Sequence, residues 1–242
     1  MKHLLVIPVF NEEKTLPTIL RSLQSLRQEQ KSFDFLCIND GSTDATRELL
    51  HAIPSIHHDR NRGYGYTIRE ALSVGRREGY DFVTTMDCDH QHDPADLIRF
   101  FDADPTVDVV SGSRYLPASR QIGMAPVDRM QINRRIVARI QDRLGLPLTD
   151  AFCGFKRYAT MRIDSDEFRE DGYSFPLEFW VYAVNKKLSI QELPVDRIYT
   201  DAYRSFGLNL DLQRKRYRYY LETLRRAEER FPEKGRTLCR SH

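Results

Sequence analysis

The sequence has 242 residues, with 37 lysines and arginines against 35 aspartates and glutamates, so its formal net charge is +2. This length suits one ordinary domain or two closely fused halves, and it can bury a hydrophobic core without a disulfide or structural metal. So small a net charge does not indicate nucleic-acid binding, and we expect no nucleic-acid partner. The four cysteines lie far apart without CxxC spacing. This is typical of free thiols in a reducing compartment, so we expect a cytoplasmic location.

The N-terminal stretch MKHLLVIPVFNEE contains only a short apolar run before its polar residues. A signal peptide needs a longer apolar region, and a membrane-spanning helix needs about 20 apolar residues in succession. No later stretch of the sequence is long and apolar enough either. We therefore expect a protein that is soluble or bound to a membrane surface, and not an integral membrane protein.

Strands and helices are predicted to alternate along the first half of the chain. Apolar runs predict strands over five ranges: 4–10, 33–38, 55–57, 81–86 and 107–112. Helices are predicted after Asn11, after Ser42 or Asp44, after the NRGYGY stretch and from Pro94. This alternation predicts an α/β protein with a Rossmann-like, mostly parallel central sheet and helices on both faces.

The pattern changes after about residue 114. A loop with Pro117, Gly123 and Pro126 leads into an arginine-rich helix over 128–144. A strand is predicted near 189–199, and a C-terminal helix over 208–231 carries an apolar stripe. We interpret this part as a second half that completes the same domain, followed by a helical tail.

Acidic residues are concentrated in the stretch TTMDCDHQHDP. Asp87 and Asp89 directly follow one predicted strand and Asp40 follows another, so the carboxyl ends of parallel strands would bring them to one edge of the sheet. Two carboxylates separated by one residue can hold Mg²⁺ or Mn²⁺, which also binds phosphate oxygens. The alternative is a DxD that only caps the end of a strand. His90 and His92 raise the further alternative of zinc, but no nearby Cys or His completes a tetrahedral set.

Seven stretches occur in the order and at the spacing of a known enzyme family, and they cover roughly residues 4–206. They are VIPVFNEEKTL, INDGSTDAT, NRGYGYTIREAL, MDCDHQHDP, GSRY, DAFCGFKRY and GYSFPLEF. On these motifs the chain resembles the family 2 glycosyltransferases, which have the GT-A fold, and most of all the dolichol-phosphate or polyprenol-phosphate mannose synthases. The resemblance implies a metal-dependent, inverting enzyme that moves one hexose, mannose or glucose, from a GDP- or UDP-sugar to a polyprenyl phosphate.

The resemblance also implies roles for individual residues. The implied nucleotide-binding residues are Pro8, Phe10, Glu12, Asp40 and Asp87. Asp87, Asp89 and Gln91 would surround a Mg²⁺ or Mn²⁺ ion and the diphosphate, and Arg114 would lie on the phosphate or acceptor side. An alternative for Glu12 is a residue of the first helical turn favoured by the helix dipole. On this basis we divide the chain into a nucleotide-sugar-binding half (1–112), an acceptor-binding half (113–207) and a helical tail (208–242).

The acceptor decides whether a general base is needed. The candidate catalytic residues are Asp89, Asp150, Glu178 and Arg114. A hydroxyl acceptor would need a carboxylate base, for which Asp150 and Glu178 are the candidates, although Asp150 could instead fix its loop. A lipid phosphate is already ionised and needs cations, because guanidinium groups bind phosphate bidentately. The candidates for that contact are Arg114, Arg129, Arg197 and Arg204.

Two basic helices could contact other surfaces. The 128–144 helix has apolar residues on one side and several arginines elsewhere, which suits either an anionic membrane surface or a core helix with a solvated basic face. The tail could pack on its own domain, touch a membrane or form a homodimer. Contact of either helix with a membrane would make the protein peripheral on the inner face of that membrane.

The chain departs from the family pattern in two places. Asn39 precedes Asp40 where the synthases usually have two acids, and DRIYTDAYRSFG lacks a Ser-Lys pair. The acceptor could therefore also be a soluble glycan, a small molecule or a protein. Two alternatives are less favoured. One is a sugar nucleotidyltransferase, which would need a glycine-rich loop near the N-terminus, and the stretch VIPVFNEE does not provide such a loop. The other is a non-catalytic binding protein.

Overall fold

The computed structural model describes residues 1–29, 33–124, 126–199 and 213–232. Its main sheet has seven strands: β1 (His3–Val9), β2 (Asp34–Asn39), β3 (Ser55–His57), β4 (Phe82–Thr85), β5 (Val109–Ser113), β7 (Lys156–Ala159) and β8 (Ile190–Pro194). A small parallel sheet pairs β6 (Gln121–Gly123) with β9 (Arg197–Tyr199). The main sheet has the order β3-β2-β1-β4-β7-β5-β8, and only the pairings of β7 are antiparallel. The mostly parallel sheet is therefore confirmed.

Seven α-helices lie in the described residues. They are α1 (Leu16–Glu29), α2 (Thr46–Leu49), α3 (Tyr64–Arg77), α4 (Leu97–Phe101), α5 (Val127–Leu144), α6 (Phe175–Asn185) and α7 (Gln213–Arg230). None of these helices is both long enough and apolar enough to cross a bilayer. The five predicted strands and the helices of the first half are all present, with ends shifted by a few residues. Of the predicted C-terminal helix, 208–212 lie outside the described residues.

Both faces of the sheet are buried. Leu4 and Val6 pack in a hydrophobic cluster that includes α3, α5, α6 and α7, whereas Leu5, Ile7 and Val9 pack in a cluster that includes α1 and α4. Successive side chains of a strand point to opposite faces, so a strand covered on both sides is apolar at nearly every position. This explains the continuous apolar run of β1 and confirms helices on both faces of the sheet.

Among the described strands and α-helices, three were not predicted: β6, which lies where a loop was expected, β7 and α6. β7 contains Lys156 and Arg157, which are buried although charged, so the strand does not look apolar in the sequence. The helix α6 is apolar almost all round, so its sequence has no clear amphipathic period. The strand predicted near 189–199 is in fact two strands, which belong to different sheets.

Asn11 was predicted to cap the first helix, and that prediction is wrong. Its backbone is left-handed, with φ of 55°, a conformation that asparagine tolerates better than most residues. The first turn of α1 begins later, where the Leu16 N–H donates to the Glu12 carbonyl at 2.9 Å. The arginine-rich helix α5 is amphipathic as predicted, but its apolar side, with Ile132 and Ile136, is buried in the core.

Candidate active site

A cavity of about 730 Å³ lies beyond the carboxyl ends of β1, β2, β4 and β5. It is lined by residues at or after the ends of these strands, by residues of segment 61–67 at the start of α3, and by residues of α5, α7 and β9. Ligands bind at this edge in open α/β sheets, and the volume is typical of a small-molecule site. Most of the candidate residues line it: Pro8, Phe10, Glu12, Asp40, Asp87, Asp89, Gln91, Arg114 and Arg129.

The motifs after β1 and β2 are joined to each other. The Asn11 N–H donates to Ser42 Oγ at 2.9 Å, and Asn11 Oδ1 accepts the Thr43 N–H at 2.8 Å. The Glu12 N–H donates to Thr46 Oγ1, also at 2.8 Å. The NEE and GSTDAT stretches therefore hold the ends of two adjacent strands together, and this fixes the position of Glu12 beside the cavity.

Asp40 organises one wall of the cavity. Its carboxylate accepts the backbone N–H groups of Arg62 and Gly63, each at 2.8 Å, and lies 2.7 Å from His58 Nδ1. His58 Nε2 lies 2.6 Å from Glu70. Burial lowers the pKa of His58, but hydrogen bonds to the two carboxylates outweigh this and raise the pKa above 6.5. Asp40 thus holds segment 61–67, which leads into α3, in place, and its contact with a nucleotide stays a prediction.

This segment supplies a site residue, Tyr64, that was not predicted from the sequence. Gly63 has φ of 103°, and a Cβ there would lie 2.2 Å from the Asp171 carbonyl oxygen, so only glycine fits. The next residue, Tyr64, lines the cavity and lies close enough to Asp87 for each group to act on the pKa of the other. The motif indicated the loop, but not which side chain reaches the acidic residues.

Asp87 and Asp89, the two aspartates of the DxD motif, line the cavity. The Asp87 side chain is 29% exposed, and His92 Nε2 lies 3.7 Å from its Oδ2. Burial raises the pKa of Asp87, and the charges of Arg114 and Lys156 oppose this only in part. Asp89 accepts the Gln91 side-chain amide at 2.8 Å and the Gln91 backbone N–H at 3.1 Å.

The two aspartates fit a divalent cation that shares a diphosphate. Among the described residues, no group of three or more His, Cys, Asp or Glu side chains is arranged to hold a metal ion. The protein thus offers two carboxylates, and Mg²⁺ is commonly bound by one or two carboxylates together with substrate phosphates and water. Gln91 would orient Asp89 through the hydrogen bonds described above. His92 does not form a zinc site with the described residues, because no third His, Cys, Asp or Glu side chain joins it and Asp87 there.

Arg114 and Asp150 form a buried ion pair. Arg114 Nε donates to Asp150 Oδ2 at 2.7 Å and its Nη2 donates to Oδ1 at 3.0 Å. Asp150 also accepts the backbone N–H groups of Arg114 and Phe152. Burial tends to raise the pKa of Asp150, but Arg114 and these hydrogen bonds lower it below its usual value. Such a carboxylate is a weak base, and its geometry suits a scaffold that orients Arg114.

Of the candidate residues that the structure describes, Asp150, Glu178 and Arg197 are not among those that line the cavity. Glu178 lies on α6, where its carboxylate accepts the backbone N–H groups of 169–170 at 2.8 to 3.1 Å. It therefore stabilises a loop and is not positioned as a base. Arg197 lies on β9 with its guanidinium 5.1 Å from the ring centroid of Tyr115. Arg204 lies outside the described residues.

The C-terminal helix supplies further residues that the sequence reasoning missed. Arg216 and Tyr220 of α7 line the cavity, together with Phe152 and Tyr173 from the connecting loops. Lys156 is buried beneath the site, near enough to Asp87 and Asp150 for their charges to act on its pKa. No local period or motif marks these residues, because their positions depend on contacts between distant segments.

The sequence matches the profile of the family described as Glycosyl transferase family 2 over residues 4–164. It is 30% identical over 205 residues to an undecaprenyl-phosphate mannosyltransferase of Micrococcus luteus, covering 81% of this chain and 83% of that protein. It is 28% identical over 206 residues to a polyprenol monophosphomannose synthase of Mycolicibacterium smegmatis, covering 80% and 76%.

The fold is similar to that of a solved glycosyltransferase. The glucosyl-3-phosphoglycerate synthase of Mycobacterium tuberculosis, solved with Mn²⁺, UDP and glucosyl-3-phosphoglycerate, superposes with a TM-score of 0.70. The match covers 95% of this chain and 80% of that one at 16% identity, so it establishes a shared GT-A fold and nothing finer. The fold and the sequence profile agree, and this chain belongs to glycosyl transferase family 2.

Proposed function

We propose that this protein transfers one hexose, mannose or glucose, from a GDP- or UDP-sugar to a polyprenyl phosphate, with inversion at the anomeric carbon. In this proposal residues 1–112 bind the nucleotide sugar and 113–207 bind most of the acceptor. The names of the Micrococcus and Mycolicibacterium relatives support it, since both describe the transfer of mannose to a polyprenyl carrier.

One observation carries the choice of a phosphate acceptor. Arg114 lines the cavity, and the adjacent carboxylate, Asp150, is committed to it with a lowered pKa. A hydroxyl acceptor would need a base at this position, whereas a phosphate is already ionised and needs only positive charge. Arg129, which lines the same cavity from α5, adds to that charge. The acceptor wall therefore suits an anion better than an alcohol.

The chemistry follows from this arrangement. An oxygen of the acceptor phosphate bonds to the anomeric carbon while the bond from that carbon to the nucleoside diphosphate breaks, and the diphosphate leaves with the bonding electrons. Bound Mg²⁺ or Mn²⁺, held by Asp87 and Asp89, would neutralise charge on the diphosphate. Gln91 orients Asp89 through its hydrogen bonds, Tyr64 lies near Asp87, and Arg114 holds the nucleophile.

A soluble phosphorylated acceptor is the second candidate. The structurally similar synthase of Mycobacterium tuberculosis acts, by its name, on a phosphoglycerate. Guanidinium groups recognise a phosphate monoester whether it belongs to a lipid or to a small metabolite.

We also propose that the protein acts as a peripheral protein at the inner face of a membrane. Ile122, Met124 and Val127, which we call the apolar lip, are 42%, 87% and 62% exposed. They lie next to Arg129, which lines the cavity. The outward side of α5 carries exposed arginines, among them Arg134 and Arg139. Exposed apolar side chains beside basic residues favour an anionic bilayer surface. The same lip could instead join two copies of the chain in a homodimer.

The direct test is a transfer assay with GDP-mannose and UDP-glucose as donors and Mn²⁺ present. The acceptors are a polyprenyl phosphate, the matching polyprenol and 3-phosphoglycerate. We expect transfer to polyprenyl phosphate and none to polyprenol. Asp89→Asn should lower the rate about a hundredfold or more, because it removes a metal ligand beside the leaving group. Asp93→Asn, four positions away, should not, because Asp93 is exposed and asparagine also caps its turn.

Transfer only to 3-phosphoglycerate would replace the lipid acceptor by a soluble one. Wild-type activity in Asp89→Asn would refute the metal-assisted mechanism. Transfer to polyprenol would refute the argument from the ionised acceptor.

A further inference from the structure

The C-terminal helix α7 is built into the wall of the active site, although it lies beyond the 4–164 span of the family profile. The Tyr220 ring lies 4.7 Å from that of Phe152, which lines the cavity. Thr223 Oγ1 lies 2.9 Å from Ser174 Oγ, and Tyr219 hydrogen-bonds Glu170. These contacts join α7 to two loops of the site, so the helix cannot move without changing the cavity.

Arg216 is the charged residue that α7 contributes to this wall. Its side chain is only 4% exposed, and it forms an ion pair with Asp128, whose side chain is 40% exposed. Neighbouring Arg214 and Arg218 are exposed on the same helix, so basic residues of α7 are not buried in general. Burying a guanidinium costs free energy unless its charge is used. Arg216 is also one of the residues that line the cavity, so its buried charge lies where a ligand can use it.

Arg216 lies on the acceptor side of the cavity. The Tyr220 hydroxyl is close enough to both Arg129 and Arg216 for their charges to act on its pKa. Arg114, Arg129 and Arg216 all line the one cavity. A phosphate monoester has three oxygens that accept charge-assisted hydrogen bonds, and guanidinium groups match this geometry.

We infer that Arg216 binds the phosphate group of the acceptor, so that α7 completes the acceptor subsite. The inference rests on the transferase function proposed above and adds a residue outside the family profile to it. The shared chemistry is a phosphate monoester, carried either by a lipid or by a soluble metabolite. Arg216 is thus a binding residue, and the donor side of the cavity does not depend on it.

The experiment measures binding and transfer separately on the full chain. With a nucleoside diphosphate and Mn²⁺ present, farnesyl phosphate or 3-phosphoglycerate is titrated and the thermal shift is recorded, and initial rates are then measured with the sugar donor. Arg216→Gln should weaken binding of the preferred phosphate and raise its KM about tenfold or more. The donor KM and the shift caused by the nucleotide should not change.

Two variants act as controls. Arg218→Gln changes the same side chain in the same helix at an exposed position, and it should behave as wild type. Asp128→Asn removes the ion-pair partner but keeps the guanidinium, so it should not raise the acceptor KM. If Arg216→Gln proves unfolded by circular dichroism, Arg216→Lys decides, because lysine keeps the charge but not the bidentate geometry. A rise in its acceptor KM of about threefold or more supports the inference.

The outcomes separate this inference from the proposed function. If the wild type transfers sugar and the folded Arg216 variant keeps its acceptor KM, the inference is wrong and the transferase proposal stands. If the wild type binds farnesyl phosphate without transferring sugar and Arg216→Gln loses that binding, the subsite stands and the transferase proposal fails. An acceptor KM raised equally by Asp128→Asn, or a donor KM raised by Arg216→Gln, would reduce Arg216 to a structural residue. No binding and no transfer by the wild type would overturn both.

Discussion

Asp150 is fully buried, and its charge is balanced by Arg114 at 2.7 Å. Removing one partner of a buried ion pair leaves the other charge without compensation inside the protein. The residue could be either a general base or a scaffold on sequence grounds. The geometry favours the scaffold, and the two roles predict different effects of the same substitution.

Asp150→Asn should lower the free energy of unfolding by about 3 kcal/mol, because Arg114 remains buried without its counter-charge. The measurement is urea unfolding at neutral pH. Asp196→Asn is the control, since Asp196 pairs with Arg120, whose side chain is 77% exposed, and exposed pairs contribute little. Wild-type stability in Asp150→Asn combined with loss of transfer would instead identify Asp150 as the base.

Arg157 shows that a buried charged residue of a motif can have a structural role. Arg157, in the DAFCGFKRY stretch, donates to the carbonyl oxygens of Ala103 and Asp104 at 2.7 and 2.6 Å. It ties the segment before β5 to β7, at the opposite end of the strands from the cavity. A motif residue is therefore not always a ligand contact, and the sequence alone does not distinguish the two.

At the scale of elements, the segment before β7 sets the position of the DxD aspartates. β7 runs antiparallel beside β4, and Gly154 just before it approaches Asp87 closely. A Cβ added to Gly154 would lie 2.2 Å from Asp87 Oδ2. The carboxylate and the backbone of a neighbouring strand thus share a space that admits no side chain.

Gly154→Ala should displace the Asp87 carboxylate and so weaken metal-dependent nucleotide binding by about tenfold. The measurement is the Kd of GDP or UDP by isothermal titration calorimetry with and without Mn²⁺. Gly79→Ala is the control, because Gly79 has φ of 70° and nothing within 4 Å of its Cβ position. That variant should lose stability through backbone strain and keep its nucleotide affinity. Equal Kd values for both variants would show that Asp87 does not depend on this packing.

At the scale of the whole molecule, the proposed membrane contact combines the apolar lip with the basic side of α5. A lipid-linked acceptor must deliver its phosphate to the cavity while its chain stays in a bilayer. The opposite ends of the strands offer a comparison, because Met161 lies there and is 73% exposed. Met124 of the apolar lip and Met161 are both exposed methionines, so they differ mainly in where they lie.

The wild-type protein should float with vesicles that contain anionic lipid, and less so as salt is raised. Met124→Asp should weaken vesicle binding about tenfold, because it replaces an exposed apolar side chain that would enter the bilayer by a negative charge that the anionic surface repels. Met161→Asp should bind as the wild type does. Equal binding by the two variants would exclude the apolar lip as the membrane contact. Self-association that Met124→Asp abolishes in analytical ultracentrifugation would assign the lip to a homodimer.

The sequence by itself determined the layered α/β fold, the strand ends that carry Asp40 and Asp87, and the family. Apolar period and turn chemistry act between near neighbours, so they can be read from a short stretch. Only the tertiary structure shows what Asp150, Glu178 and Arg216 contact. Burial, ion pairing and access to the cavity depend on segments that meet only in the folded chain, such as α7 and the loop of Phe152. For the same reason β7 was not predicted, because its buried lysine and arginine are stabilised only by partners far away in the sequence.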